Sequence, residues 1–288
     1  MTTKNERYYQ VCTEMGTYFT MDVCLDPFNA RLRVDDYRGD VQAMHERILE
    51  LVEKHAFTKV FIKSRSEDWQ AFLHLGYMLE GVYKKYFNGS DAYSMAMYFT
   101  DERRTSAYWM EEDEILRQVF KLPLKSMENR FAQGYSMRLA TIEDAEQLAQ
   151  LYGTVFQTYP TPMNDATYIK KVILEGTVFY VTEAGGRIVS AASAEVNAAY
   201  NNAEVTDCAT YPEHRKHGLM RHLITALEHE LRRRSIYCAY SLARSLSFGM
   251  NAVFHQLGYE YTGRMTKNCN IFDKFEDMSL WVKDLSRG

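Results

Sequence analysis

The sequence predicts an α/β (α+β) protein built from two related units, and three observations carry that expectation. Residues 203–234, AEVTDCATYPEHRKHGLMRHLITALEHELRRR, run from strand-like Val205, Thr206, Cys208 and Thr210 past Pro212 into a basic turn, Arg215-Lys216-His217-Gly218, and on into a helical pattern. Leu219, Leu223, Leu227 and Leu231 recur every fourth residue beside Met220 and Ile224, which makes one face of that helix apolar. Asn88-Gly89 and Gly185-Gly186 each separate two strand-like runs, as tight hairpin turns do. Finally, FLHLGYMLEG at 72–81 returns in pattern as FHQLGYEYTG at 254–263, each preceded by a helix and a strand and followed by strand-like runs.

The first unit, residues 1–130, reads as strand 29–34, helix 41–55 with Met44, Ile48, Leu51 and Val52 on one face, strand 59–63, and a short helix 68–75 closed by Gly76. Strands 79–87 and 93–99 flank the Asn88-Gly89 turn, and residues 101–127 read as a charged connecting helix. The second unit, residues 131–288, opens with strand 135–139 and a capping signal, Thr141-x-x-Asp144. Leu148, Leu151, Tyr152, Val155 and Phe156 stripe the next helix; Tyr159-Pro160-Thr161-Pro162 breaks it, and 166–174 is helical again. Strands 177–182 and 188–196, the stretch at 203–234, strand 237–242, helix 250–256 and strands 259–266 and 277–282 complete the order.

With 288 residues, 46% hydrophobic and 25% charged, the chain has the composition of a soluble globular protein. A net charge of −4 gives no reason to expect a nucleic acid or an anionic membrane as partner. No stretch approaches a membrane span, and MTTKNERYYQ has no apolar signal region. Five scattered cysteines without CxxC spacing suit reduced thiols in the cytoplasm. His214, His217 and His222 lack a matching ligand set, so no metal is expected.

A strand that ends in a basic glycine turn and opens a helix presents backbone N–H groups to a phosphate, and Gly218 has no Cβ to hold that phosphate away. In the first unit the equivalent turn reads Asp35-Asp36-Tyr37-Arg38-Gly39-Asp40. Three aspartates repel a pyrophosphate, so this unit is expected to serve as structure, as a dimer contact or as a wall of the substrate pocket.

Arg215-x-x-Gly218-x-Met220 resembles the (Arg/Gln)-x-x-Gly-x-(Gly/Ala) motif of the GNAT N-acetyltransferases, with Met220 in place of a small residue. The resemblance covers roughly residues 135–285. It implies a mixed, mostly antiparallel twisted sheet flanked by helices, a degenerate GNAT-like first half, and acetyl-CoA as co-substrate without a metal. It further implies that Cys208, Ala209, Thr210, Arg215, Lys216, His217, Gly218, Leu219, Met220, Asn251 and Phe254 contact that co-substrate. From its strand position alone, Cys208 reads as core packing.

The same resemblance implies direct attack of a neutral amine on the thioester, so a carboxylate must take a proton from an ammonium of pKa about 10. Asp207 and Glu204 are the candidates for base or amine binding, with Glu195 beside them as a substrate contact. The family's usual acid, a tyrosine four residues before Gly258, is Phe254 in this chain, which leaves Tyr259, Tyr211 or a water for that role. The whole pattern is similar to the β-lysine N-acetyltransferases. For such an acceptor Arg244 and Arg264 are candidate cations for the carboxyl group. Another small amine, a protein lysine, or acyl-CoA binding without transfer stay open as alternatives, as does a homodimer paired through the closing strands.

Overall fold

A computed structural model describes residues 8–125, 131, 133–271 and 274–287. In the first half, β1 (Gln10–Met15), β2 (Phe19–Asp26) and β3 (Arg31–Gly39) lead into α1 (Val41–His55), then β4 (Lys59–Ser64), α2 (Trp69–His74), β5 (Met78–Phe87) and β6 (Ser90–Tyr98). Two connecting helices follow, α3 (Asp101–Arg104) and α4 (Trp109–Val119). The second half comprises β7 (Tyr135–Leu139), α5 (Ala145–Val155), α6 (Ala166–Leu174), β8 (Val178–Ala184), β9 (Arg187–Asn197) and β10 (Asn202–Thr210). It continues with α7 (Leu219–Arg233), β11 (Cys238–Arg244), α8 (Phe248–Gln256), β12 (Glu260–Ile271) and β13 (Lys274–Asp284).

Among the described residues all strands join one thirteen-stranded sheet, ordered β1-β2-β3-β4-β6-β5-β12-β13-β11-β10-β9-β8-β7. The pairs β3–β4 and β10–β11 are parallel and the rest antiparallel, which is the mixed, mostly antiparallel sheet expected. The order reads the same from either side of the β5–β12 seam if β7 is set aside: a parallel pair, then an inverted hairpin, on each flank. β12 is therefore already paired within the chain, on the side where a second copy was one alternative.

Two strands and a break escape the sequence reading. β1 carries no clean apolar alternation, whereas Phe19, Met21, Val23 and Leu25 in β2 do alternate and mark its buried side. The connecting helix expected over 101–127 splits because Arg103 is pinned at its start: its guanidinium lies 3.6 Å from the Phe275 ring centroid and donates to the Asn29 carbonyl at 2.7 Å. Residues 126 and 127, and residue 130 at the expected boundary between units, lie outside the described residues.

Helix α7 buries Leu223, Leu227 and Leu231 on the sheet, together with Val205, Ala239, Phe254 and Trp281, while Leu219 at its start joins the cluster of Phe179, Ala209 and Tyr211. In the first half α1 buries Met44, Ile48, Leu51 and Val52 against Leu32, Val34, Val60 and Ile62. Across the seam, the fully buried Lys59 donates to Glu80 at 2.9 Å and to the Thr266 carbonyl at 2.8 Å, while Glu80 accepts from Thr266 N. The sheet curls far enough that the β9–β10 hairpin returns to the first half, with Asn202 Nδ2 on the Tyr86 carbonyl at 2.9 Å and the Tyr200 hydroxyl on Asp36.

Candidate active site

β10 and β11 pair only at Asn202–Cys238, Ala203–Ala239 and Glu204–Tyr240, and beyond these positions they diverge. Backbone groups on the facing edges then lack a ladder partner, and the gap opens into a cavity of about 630 Å³. A β-bulge sharpens the split: the β10–β9 register shifts between Thr206 and Ala209, and Asp207 takes φ +49°. A non-glycine residue in that region costs on the order of 1–3 kcal/mol and persists only where its surroundings hold it. Here the buried Asp207 carboxylate accepts from Ser193 Oγ at 2.6 Å and from the Tyr159 hydroxyl at 3.0 Å.

At the other end of the cavity, Pro212–His214 form one 3-10 turn and Gly218 enters α7 at φ +75° with no side chain capping the helix. Arg221 N bonds back to the Gly218 carbonyl at 3.1 Å, but the first N–H groups of a helix have no acceptor within it, and Leu219 and Met220 begin α7 at the cavity, at the positive end of its dipole. A Cβ at Gly218 would lie 3.0 Å from Arg221 Nη2. An uncapped helix start entered through a glycine at positive φ, facing a gap between two strands, fits a pyrophosphate carried on a slender arm.

Asp207, Cys208, Thr210, Arg215, Lys216, Gly218, Leu219, Met220, Arg244 and Phe254 all line this cavity. Cys208 also packs on the core, as its strand position suggested, and burial beside Asp207 pushes its thiol well up, so it offers no thiolate nucleophile. Other expected contacts turn elsewhere. Ala209 is buried in the core with Ile188 and Val189, and the His217 ring lies 5.5 Å from the Tyr135 ring. Asn251 is fully buried: its amide donates to the carbonyls of Arg244 and Ser247 and accepts from Trp281 Nε1, so it shapes the β11–α8 loop from within. Tyr259 packs 5.0 Å from Phe254 in the core with Lys283 Nζ 5.4 Å from its ring, away from both cavities. Tyr211 is buried with its hydroxyl on Arg187.

A smaller cavity, about 150 Å³, adjoins the first and shares Tyr159, Thr206, Asp207 and Leu242 with it. It gathers Glu195, Glu204 and Asp207, the three carboxylates singled out from the sequence. Glu195 and Glu204 are direct cross-strand partners on β9 and β10, an arrangement that like charges resist. Burial raises Asp207, offset by the hydrogen bonds from Ser193 and Tyr159. Burial also raises Glu204, which Lys63 and Arg33 pull back down. Glu195 is exposed on its strand, yet protein is dense around its carboxyl; burial first, then the charges of Asp207 and Glu204, push it up to about 8.

Neither arginine proposed for a substrate carboxyl lies there. Arg264 is held by Glu112 at 3.2 Å and by Asp113, over the Trp109 ring, outside both cavities. Arg244 bonds Glu276 at 2.9 Å on the large-cavity side. The cations lining the small cavity are Arg31, Arg33 and Lys63, all from the first half. The three cations were missed because no local spacing links β3 and β4 to the distant β10, and Tyr159 because it read only as part of the break after the preceding helix.

The fold and the two joined cavities suit a transferase whose group rides on a phosphate-ended arm to a second ligand beside it. Residues 136–262 match the family described as an acetyltransferase (GNAT) domain. An N-acetyltransferase of Bacillus subtilis, named YodP, is 38% identical over 260 residues, covering 90% of this chain and 94% of that protein. A β-lysine N(6)-acetyltransferase of Methanosarcina mazei is 36% identical, covering 73% of this chain and 85% of its own length. A second one, from Methanococcus maripaludis, is 30% identical with 90% and 94% covered. The chain belongs to the GNAT N-acetyltransferases, enzymes that use acetyl-CoA as co-substrate. Among the described residues no helix is long and apolar enough to cross a membrane.

Proposed function

We propose that the enzyme acetylates the ε-amine of β-lysine (3,6-diaminohexanoate) to give N6-acetyl-β-lysine in the cytoplasm. The observation that carries this is the cavity of about 150 Å³, lined by three carboxylates and three cations, that meets the large one at Asp207. Its size is below the range of about 300–1,000 Å³ that takes drug-sized ligands, which favours a short acceptor over a protein lysine. A diamino acid presents two ammonium groups, and three carboxylates stand ready for them. Two relatives carry the name β-lysine N(6)-acetyltransferase, which supports the same acceptor.

In this reading residues 131–288 form the catalytic unit, and residues 1–130 are a degenerate copy that walls the acceptor space. The N–H groups at 216–220, with Arg215 and Lys216, hold the pyrophosphate, and the splayed edges of β10 and β11 hold the arm. When bound, acetyl-CoA supplies the acetyl group as a thioester. Asp207 receives the ε-ammonium and takes its proton; burial raises its pKa, which makes the carboxylate a stronger base than a solvated one. Glu195 and Glu204 hold the second ammonium. A thiol of pKa about 8.5 leaves as thiolate without a strong acid, in keeping with Phe254 at the family's acid position.

The test is thiol release from acetyl-CoA with β-lysine, α-lysine, ornithine, spermidine and a lysine peptide. Turnover concentrated on β-lysine is expected. Preference for spermidine or the peptide would overturn the acceptor while leaving the acetyltransferase standing.

A further inference from the structure

The small cavity has two charged walls, and the chain does not join them. Glu195, Glu204 and Asp207 come from β9 and β10; Arg33 and Lys63 come from β3 and β4 of the first half. Among the described residues no ion pair crosses between the two sets. Arg33 bonds Asp35 through Nε at 2.8 Å, and Lys63 bonds the other oxygen of Asp35 at 2.7 Å. Two cations share one carboxylate, so this wall keeps a net positive charge. Arg31, by contrast, is matched by Asp26 at 2.8 Å and by the Asn268 carbonyl.

The two walls nonetheless line one cavity of only about 150 Å³, and across it Arg33 and Lys63 draw down the carboxyls of both Glu195 and Glu204. An excess of positive charge on one wall and a cluster of carboxyls on the other, with no ion pair across the cavity among the described residues, is an arrangement that a ligand of both signs completes. The ligand that does so is a zwitterion: ammonium toward the β9–β10 wall, anion toward the β3–β4 wall. An Arg fork beside a Lys suits a carboxylate.

We infer that Arg33 and Lys63 form the subsite for the acceptor's carboxylate, so that the first half, which has lost the phosphate cradle, selects amino acids over plain amines. This rests on the small-diamino-acid reading above and deepens it. It also sets the acceptor's direction. The carboxyl end lies in the first half, the neighbouring ammonium at Glu195 and Glu204, and the distal amine at Asp207, where the cavities join.

The experiment compares kcat/KM for β-lysine and for 1,4-diaminopentane, the same diamine without its carboxyl group, in the wild type, Arg33→Gln and Lys63→Gln. The wild type is expected to prefer the acid. In each variant that preference should fall by about 30-fold or more through a higher KM for the acid, the usual scale for a lost buried charge contact. KM for acetyl-CoA reports whether the fold is intact, and because the residues lie on different strands, a folding defect in one variant leaves the other to read. Equal losses on acid and diamine, or an unchanged preference, would overturn the subsite. If ornithine or α-lysine replaces β-lysine as the acceptor, the acceptor reading fails alone, and the same test runs on that amino acid and its decarboxylated diamine. If the wild type acetylates the diamine as well as the acid, the subsite fails outright.

Discussion

Gly81 and Gly263 lie opposite each other on β5 and β12, at the register pair that joins the two halves of the sheet. They are also the same position of the internal repeat, the last residues of FLHLGYMLEG and FHQLGYEYTG. A strand meeting its own counterpart antiparallel, at the equivalent residue, is what a local two-fold axis through the seam requires. The backbones close so far that a Cβ on Gly263 would sit 2.2 Å from the Glu80 carbonyl oxygen and 2.3 Å from Gly81 Cα.

The two glycines are nonetheless unequal. A Cβ on Gly81 would meet the flexible Leu280 Cδ2 at 3.1 Å and Gly263 Cα at 3.2 Å, contacts that a small shift relieves. Gly263→Ala is therefore expected to destabilise the protein by about 2–3 kcal/mol, and Gly81→Ala by about 1 kcal/mol or less. Urea unfolding of both variants checks the order. Equal effects would mean that the seam relaxes as freely on one side as on the other.

The two halves differ most at the start of their matching helices. Asp40 caps α1 with its own carboxylate, accepting from Ala43 N at 2.7 Å, whereas Gly218 leaves α7 uncapped. Asp35 and Asp36, expected to repel a phosphate, are taken up by Arg33, Lys63 and Arg65. Gly218→Asp in the second half should recreate the closed arrangement, because Asp tolerates positive φ better than most residues and brings both a cap and a negative charge. KM for acetyl-CoA is expected to rise by about 100-fold or more, with Gly218→Asn, the uncharged counterpart, falling between. An aspartate variant that binds acetyl-CoA like the wild type would remove the helix start from the cofactor site.

Much of this was legible in the sequence, for physical reasons that can be named. The four-residue leucine spacing of α7, the Gly185-Gly186 turn and the glycine at 218 are local signals, and each acts locally in the fold. Three carboxylates were read correctly as neighbours because two strands of one hairpin carry them. What escaped depends on partners distant in the chain. Arg33 and Lys63 reach the site because the sheet curls, and Arg264 misses it because α4 offers Glu112 and Asp113 first. Asn251 matched a motif position, but Trp281 and three loop carbonyls claim its amide. Tyr259 followed the family's spacing into a place where Phe254 and the core surround it.

Tyr159 and Ser193 both donate to Asp207, and hydrogen bonds to a carboxylate favour its charged form. Removing either donor, as in Tyr159→Phe or Ser193→Ala, should raise the pKa of Asp207 further. In its proposed role as base Asp207 then needs a higher pH to ionise, so the acid limb of the kcat profile should move upward while the plateau at high pH changes little. Asp207→Asn has no such recovery and should lose about 100- to 10,000-fold in kcat, the range for a positioned base. Recovery of the asparagine variant at high pH would show that the proton goes elsewhere.

Glu195 offers a test of charge without reference to catalysis. Its folded pKa of about 8 stands above its ordinary 4.5, so the native state keeps a proton that the unfolded chain has already released. Stability of the ligand-free protein should therefore fall as pH rises between those two values, and this contribution should level off above the higher one. Glu195→Gln removes the titration, so the variant should gain stability over the wild type as pH rises through that window, read as a widening difference in Tm. Ligand binding runs the other way: only the ionised Glu195 holds an ammonium, so KM for β-lysine should fall as pH climbs toward about 8 in the wild type, and the glutamine variant should lose that dependence. A Tm difference that stays flat with pH would mean that the proton rests on Glu204 or Asp207 instead, and the KM slope would then follow substitution of that residue.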